Sequence, residues 1–210
     1  MTRSAALLLL LLGTLFVLPH NGSAQGYGPT SQEEAKLVSI LSLSPGRNVG
    51  EIGAGDGQLT IRSAKAVGPA GKVFATELGA AKLETLKRNL AGAGLKNVEF
   101  IEARIDGTGL PAGCCDAIFM RDVYHHLTAP KDVLADILKA LRPEGRLLIV
   151  DFEPRNSLPP VAGVPDNRRG HGIPIGVVAE ELKAAGFEIV SEDRAWREDL
   201  YAVLARRPAR

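Results

Sequence analysis

Cysteine is scarce in this sequence: two residues in 210, adjacent at Cys114 and Cys115. An adjacent pair cannot cross-brace a fold, so a disulfide scaffold is excluded and a buried core must supply the stability. Aromatic residues amount to 5% with one tryptophan, and no aromatic cage is visible. Charge of one sign is also missing. The formal net charge is +1, which removes the global basic field that gives proteins non-specific affinity for nucleic acid, and no nucleic-acid partner is expected. No apolar run reaches the ~20 residues that a membrane-spanning helix needs. What is there, 45% hydrophobic and 23% charged residues, is ordinary for a globular chain and unlike collagen, a disordered chain or a polytopic membrane protein. The length suits one domain.

Residues 1–24 read differently from the remainder. Arg3 is followed by an apolar stretch from Ala5 to Leu18, broken only by Gly13 and Thr14, and then by Pro19, His20, Asn21 and the small residues Gly22-Ser23-Ala24. A basic start, a short apolar core and small residues before a cut are the order of a secretory signal. The expectation is therefore a signal peptide over 1–24 and a single domain over 25–210, exported to a periplasmic or secreted location. The alternative is an uncleaved anchor in which residues 5–18 hold the chain to a membrane. Arg3 is the only charge in that segment, so the remaining chain is formally neutral.

Beyond it, Ser31-x-x-Glu34 has the spacing of a capping box, and a helix is expected from Gln32 to Ser42. Strand and helix periods then alternate. Strands are expected at 48–52, 72–77, 98–102, 116–121 and 146–152, and helices at 59–67, 80–93 and 131–141. Residues 103–113 read as a loop, and 153–174, with five prolines, as a long loop that either covers an active site or hangs loose. A helix over 175–185 and strands at 187–190 and 200–205, read as an edge hairpin, close the chain. The pattern predicts an α/β fold with a single doubly wound, Rossmann-like sheet, mostly parallel with an antiparallel C-terminal edge hairpin. Ligands of such sheets bind beyond the carboxyl ends of the strands, where strand order reverses.

Between the first strand and its helix stands Glu51-Ile52-Gly53-Ala54-Gly55-Asp56-Gly57. Glycine permits positive φ and close approach of a ligand to the backbone. A dinucleotide fingerprint wants a glycine at the sixth position counted from Gly53, where Gln58 stands, and a phosphate loop wants Gly-Lys-Ser/Thr, which is absent. No basic side chain in the loop welcomes phosphate. The sequence here resembles class I S-adenosylmethionine-dependent methyltransferases, over nearly all of 32–205. In that resemblance, Glu51-x-Gly53-x-Gly55-x-Gly57 looks like the motif that wraps the methionine part of the cofactor, with Glu51 ordering the loop. Glu77 matches the acid that accepts from the ribose hydroxyls, and Asp106 the acid near the adenine amino group. Leu110-Pro111, Cys115-Asp116-Ala117-Ile118 and Leu141-Arg142-Pro143-Glu144-Gly145-Arg146 follow in family order, with Glu144 replacing a common glycine. The implied cofactor, S-adenosylmethionine, is a sulfonium cation without phosphate, which an acidic glycine-rich pocket suits.

Asp122-Val123-Tyr124-His125-His126-Leu127 leaves the fourth strand at that same end, and Asp122 is expected to line the cofactor site. Imidazole titrates near neutrality, so His125 or His126, with Tyr124 beside them, is a candidate base for the proton of a methyl acceptor. The alternative is that these residues shape the pocket and contact the cofactor. A metal set of Asp122, His125 and His126, with His171 from the long loop, has no cysteine or second carboxylate at ligand spacing. Adjacent histidines also point apart in most backbones, so no metal is expected. Cys114 and Cys115 read as small buried thiols at a strand start, the alternative being a vicinal disulfide. His171-Gly172-Ile173-Pro174 is a turn that would lower the long loop over substrate, or else a connection into the next helix. The expected activity is in-line methyl transfer to a small-molecule acceptor. The alternative is an exported, non-catalytic binding module on the same fold.

Overall fold

A computed structural model describes residues 28–209. The segment read as a signal peptide lies outside the described residues. Strands β1 (Asn48–Ile52), β2 (Lys72–Leu78), β3 (Val98–Ala103), β4 (Cys115–Arg121), β5 (Leu141–Asp151), β6 (Glu188–Arg197) and β7 (Leu200–Arg206) form one sheet in the order β3-β2-β1-β4-β5-β7-β6. The first five are parallel. The last two are antiparallel to their neighbours and form the edge hairpin. Strand order reverses between β1 and β4, which sets the ligand-binding end at their carboxyl termini.

The period-2 alternation of the central strands sorts the two cores. Ala117, Phe119, Leu148 and Val150 face one side, packed with Leu37 of α1 (Ser31–Ile40), with Leu41 at its C-cap, and with Leu59, Ala64 and Val67 of α2 (Gln58–Val67). Ala75 on that side meets Leu83, Leu86 and Leu90 of α3 (Ala80–Leu90). Ile118, Met120, Leu147 and Ile149 face the other side, against Val133, Leu134 and Ile137 of α4 (Pro130–Ala140) and Val178 and Leu182 of α5 (Ile175–Ala184). Helix α3 stops short of the expected Ala93, and residues 91–93 tighten into a 3₁₀ turn before the left-handed Gly94. The loop over 103–113 carries no helix.

Two local expectations change. The cap of α1 is Thr30, whose hydroxyl accepts from the Glu33 amide, and not Ser31. The Glu33 side chain, in the first turn of the helix, points inward. It takes Arg121 Nε at 2.8 Å, Trp196 Nε1 at 3.1 Å and Arg197 Nη1 at 3.5 Å. A carboxyl only 4% exposed is tolerable there because guanidinium and indole donors surround it. Cys114 and Cys115, expected as separate thiols, are joined in a vicinal disulfide; both are buried where β4 begins, so adjacency and packing hold the sulfurs together.

Because Glu33 ties α1 to the end of β4 and to β6, Glu33→Ala removes a buried carboxylate shared by Arg121, Trp196 and Arg197. The expected loss is about 3–5 kcal/mol of unfolding free energy, read from urea denaturation; a change below about 1 kcal/mol contradicts this account.

Candidate cofactor and acceptor site

A cavity of about 740 Å³ opens at the carboxyl ends of β1, β2, β3 and β4. Its floor is the turn after β1. The amides of Gly53 and Ala54 both donate to Thr76 O, at 3.1 and 3.0 Å, and the Gly55 amide donates to Glu77 Oε1 at 2.5 Å. The three glycines serve three different needs. At Gly53 (φ +70°) a Cβ would stand 2.6 Å from Val123, so packing of the β4 turn demands glycine there. At Gly57 (φ +88°) it would stand 2.2 Å from Leu90 of α3. The Cβ side of Gly57 therefore faces the core, and Gly57 is not among the residues that line the cavity. Only Gly55 (φ +59°), with nothing within 4 Å of a Cβ, offers open backbone to a ligand.

Glu51 and Glu77 line this cavity, as do Asp56 and Asp122. Glu51 is 4% exposed and accepts from the Thr60 hydroxyl at 2.5 Å. Burial pushes its carboxyl from the ordinary 4.5 up to about 8, against the lowering effect of the Thr60 bond and with a raising contribution from Asp56. It is thus largely neutral at pH 7 and orders the turn as a hydrogen-bonded acid. Asp122 adopts φ +61°, a left-handed conformation that aspartate tolerates, and its amide donates to Val150 O.

Asp106 does not line the cavity. It is exposed and pairs with Arg104 at 3.0 Å, and that guanidinium holds its carboxyl below the ordinary carboxylate value. Ile105, Gly107 and Thr108 stand at the wall instead. Tyr124 is also outside the cavity. It is fully buried and donates its hydroxyl to Glu181 Oε2 at 2.7 Å. Burial, reinforced by the Glu181 carboxylate, pushes that hydroxyl far above its ordinary value, and the side chain packs in the core away from the cavity. His125 is 1% exposed, with Nδ1 on Asp151 Oδ1 at 2.9 Å. Of the Tyr-His-His triplet only His126 reaches the cavity wall; desolvation, then His125 and His171, hold its imidazole below the ordinary value.

The loop over 153–174 does not close over the cavity. It is pinned by Ile173 N to Phe152 O, by Arg155 N to His171 O, and by buried Arg168, which pairs with Glu181 at 2.6 Å. Unforeseen from sequence are Gly28 and Pro29 on the rim, held through Gln58 Nε2 to Pro29 O at 3.0 Å. Three cations line the wall, Lys82, Arg104 and Arg121, and the last two are each paired with a carboxylate; against them stand Glu51, Asp56, Glu77 and Asp122, so the wall presents acid more than base. An acidic lining, an open Gly55 and a carboxylate at the tip of β2 fit a cationic cofactor that carries a ribose diol and no phosphate.

Comparison with known proteins agrees with this geometry. Residues 43–203 match a family model described as "Methyltransferase domain". The chain belongs to that family, and S-adenosylmethionine is the cofactor that the family and fold imply. A solved SAM-dependent methyltransferase from Aquifex aeolicus is 25% identical with a TM-score of 0.71, covering 86% of this chain and 94% of that one. An S-adenosylmethionine-dependent methyltransferase from Mesorhizobium loti, 17% identical, shares the fold with a TM-score of 0.66 over 82% of this chain and 96% of that one. The ubiquinone/menaquinone biosynthesis C-methyltransferase UbiE of Pseudomonas savastanoi is 30% identical over 123 residues, 58% of this chain. The match spans about half, 48%, of that relative's length.

The raised Glu51 value makes a signed prediction. Below about pH 4.5 the carboxyl is protonated in both folded and unfolded chains and contributes nothing. Between 4.5 and about 8 the unfolded chain gives up the proton while the folded chain keeps it, so stability falls as pH rises, by a few kcal/mol in total, on the order set by the shift. Glu51→Gln removes that slope. Its melting temperature is expected to exceed the parent's at pH 8 and to match it near pH 4; equal differences at both values contradict the burial argument.

Proposed function

We propose that this chain transfers a methyl group from S-adenosylmethionine to a small-molecule acceptor. The observation that carries the reading is the bond between Glu77 and the Gly55 amide, which fixes an acid beside the one open glycine of the turn. When bound, the cofactor supplies an electrophilic methyl group on a sulfonium. The chain's own part is to hold and orient. Glu77 accepts from the ribose hydroxyls, and the backbone of 53–56 follows the methionine portion. Asp122, His126, Leu127 and Thr128 bound the cavity on the β4 side and orient the acceptor there. A volume of about 740 Å³ lies within the roughly 300–1,000 Å³ of small-ligand sites, and the near-neutral charge of the chain favours no polyanion. The relatives named for C-methylation in quinone biosynthesis support a small, apolar-bodied acceptor.

We also propose that residues 1–24 direct export. The basic, apolar, small-residue order supports this. Amino-terminal sequencing of the protein recovered outside the cytoplasm is expected to begin at Gln25; intact chain confined to the cytoplasm contradicts export.

Calorimetry tests the cofactor reading. The protein is expected to bind both S-adenosylmethionine and its demethylated product, and Glu77→Ala to weaken binding by about 1–3 kcal/mol, since it loses a charged acceptor and releases Gly55. Absence of binding by the unaltered protein ends the proposal, and an unchanged affinity in the variant puts the cofactor elsewhere.

A further inference from the structure

Three histidines meet behind the β4 side of the cavity, at positions separated by up to 46 residues in sequence. The 3₁₀ turn Tyr124–His126 swings two neighbours that would point apart on a strand until their ring centroids are 4.0 Å apart. The isolated bridge between Arg155 and His171 fixes the third, with its centroid 5.2 Å from His125 and 5.7 Å from His126. Each offers a ring nitrogen, and the three nitrogens lie within 4.8 Å of one another.

The outer partners of the rings decide which nitrogens face inward. Pro159 O is 2.8 Å from His171 Nδ1; a carbonyl can only accept, so Nδ1 carries the proton and Nε2 keeps its lone pair. His125 Nδ1 sits 2.9 Å from Asp151 Oδ1, while the His125 amide donates to Asp151 Oδ2 at 3.1 Å and the Phe152 amide to Oδ1 at 2.9 Å. With Nδ1 donating to a carboxyl held in that cradle, Nε2 of His125 also presents a lone pair. That atom is buried and has no hydrogen-bond partner, and a buried polar atom is seldom left so. A carboxylate on one imidazole and a backbone carbonyl on another are the outer contacts that orient metal-ligating histidines.

We infer that His125, His126 and His171 form a three-imidazole site for a divalent first-row transition cation of the zinc type. Three nitrogens bound at 2.0–2.1 Å in a tetrahedral site stand about 3.3 Å apart, so small ring rotations close the site. Three protein ligands leave a fourth position for water or for an oxygen, nitrogen or sulfur of a bound molecule. His126 is the member that also lines the cavity, so the cation adjoins the place given to the acceptor. The inference rests on the methyltransferase reading only for that neighbour; the site itself is defined without it. The acceptor class it adds is a small molecule with a metal-binding heteroatom.

The test uses the full 210-residue chain without a polyhistidine tag. After dialysis against Zn²⁺ and removal of excess, elemental analysis is expected to give one zinc per chain, and Co²⁺ in its place to give the visible bands of a tetrahedral nitrogen site. His171→Ala, on a loop, is expected to keep its circular dichroism spectrum and to bind Zn²⁺ more than about 100-fold more weakly, and Asp151→Asn to bind it about 10–100-fold more weakly. Absence of retained zinc and of cobalt bands in the unaltered protein overturns the site. So does zinc that His171→Ala and His126→Ala retain at parental affinity. Calorimetry with S-adenosylmethionine on the same samples separates the two ideas: cofactor binding without zinc ends the metal site alone, and zinc without cofactor binding ends the methyl-transfer reading alone.

Discussion

The parallel register of β1 on β2, which sets Glu51 beside Ala75 and Ile52 beside Thr76, is the constraint on which the site depends. One carbonyl, Thr76 O, then accepts from both Gly53 and Ala54, and the next side chain on β2, Glu77, takes the Gly55 amide. Three consecutive amides are satisfied only if the chain turns left-handed at Gly53, Gly55 and Gly57. Neighbouring elements then seat on that turn. Val123 fills the space where Gly53 lacks a Cβ, and Leu86 and Leu90 fill it at Gly57. The β4 turn and α3 are thus positioned by the same backbone bonds that position Glu77, so cavity floor and walls form as one unit.

Electrostatics follow from burial more than from composition. Glu51 is the most enclosed acid of the cavity and the one that burial keeps largely neutral, so the negative charge is left to Asp56, Glu77 and Asp122 on the lining. Two of the three wall cations are moderated from outside it, which leaves Lys82 at the rim. Arg121 is drawn back by buried Glu33, a strong pairing, and Arg104 by exposed Asp106, a solvent-screened one. Glu33 and Asp106 therefore shape what the cavity accepts without touching it. A pocket arranged in this way favours a cation and offers little to a phosphate.

Much of the fold was legible because it is written in local periods: the strand and helix alternation from Asn48 to Asp151 follows apolar spacing that one segment displays by itself. The glycine turn and the acid at the end of β2 were legible as well, since their chemistry is carried by residue type at a fixed place in the strand-turn-helix unit. What stayed hidden depends on partners far along the chain. Nothing near Gly57 says that Leu90 presses on it. Nothing near Tyr124 says that Glu181, 57 residues on, takes its hydroxyl, and nothing near Glu33 says that Trp196 and Arg197 arrive on it from β6. Asp106 matched a family position by order, yet the short bridge between Arg104 and Gly107 folds its side chain back onto Arg104.

The proline-rich segment over 153–174 shows the same dependence on distance and resolves into a wall. A lid has to open by breaking few contacts, and those it breaks have to be exposed. This segment inserts Arg168, 1% exposed, under Tyr124 and against Glu181, and Tyr201 donates to Ile173 O at 2.7 Å from the sheet. Lifting it would leave the Glu181 carboxylate without its guanidinium and the Tyr201 hydroxyl without an acceptor in an apolar core, a cost of several kcal/mol. Pinned at both places, the segment holds His171 against His125 as firmly as β5 holds Asp151 behind it. The histidines consequently meet on a rigid frame made by strand ends and a buried ion pair, the kind of support that a site with demanding geometry requires.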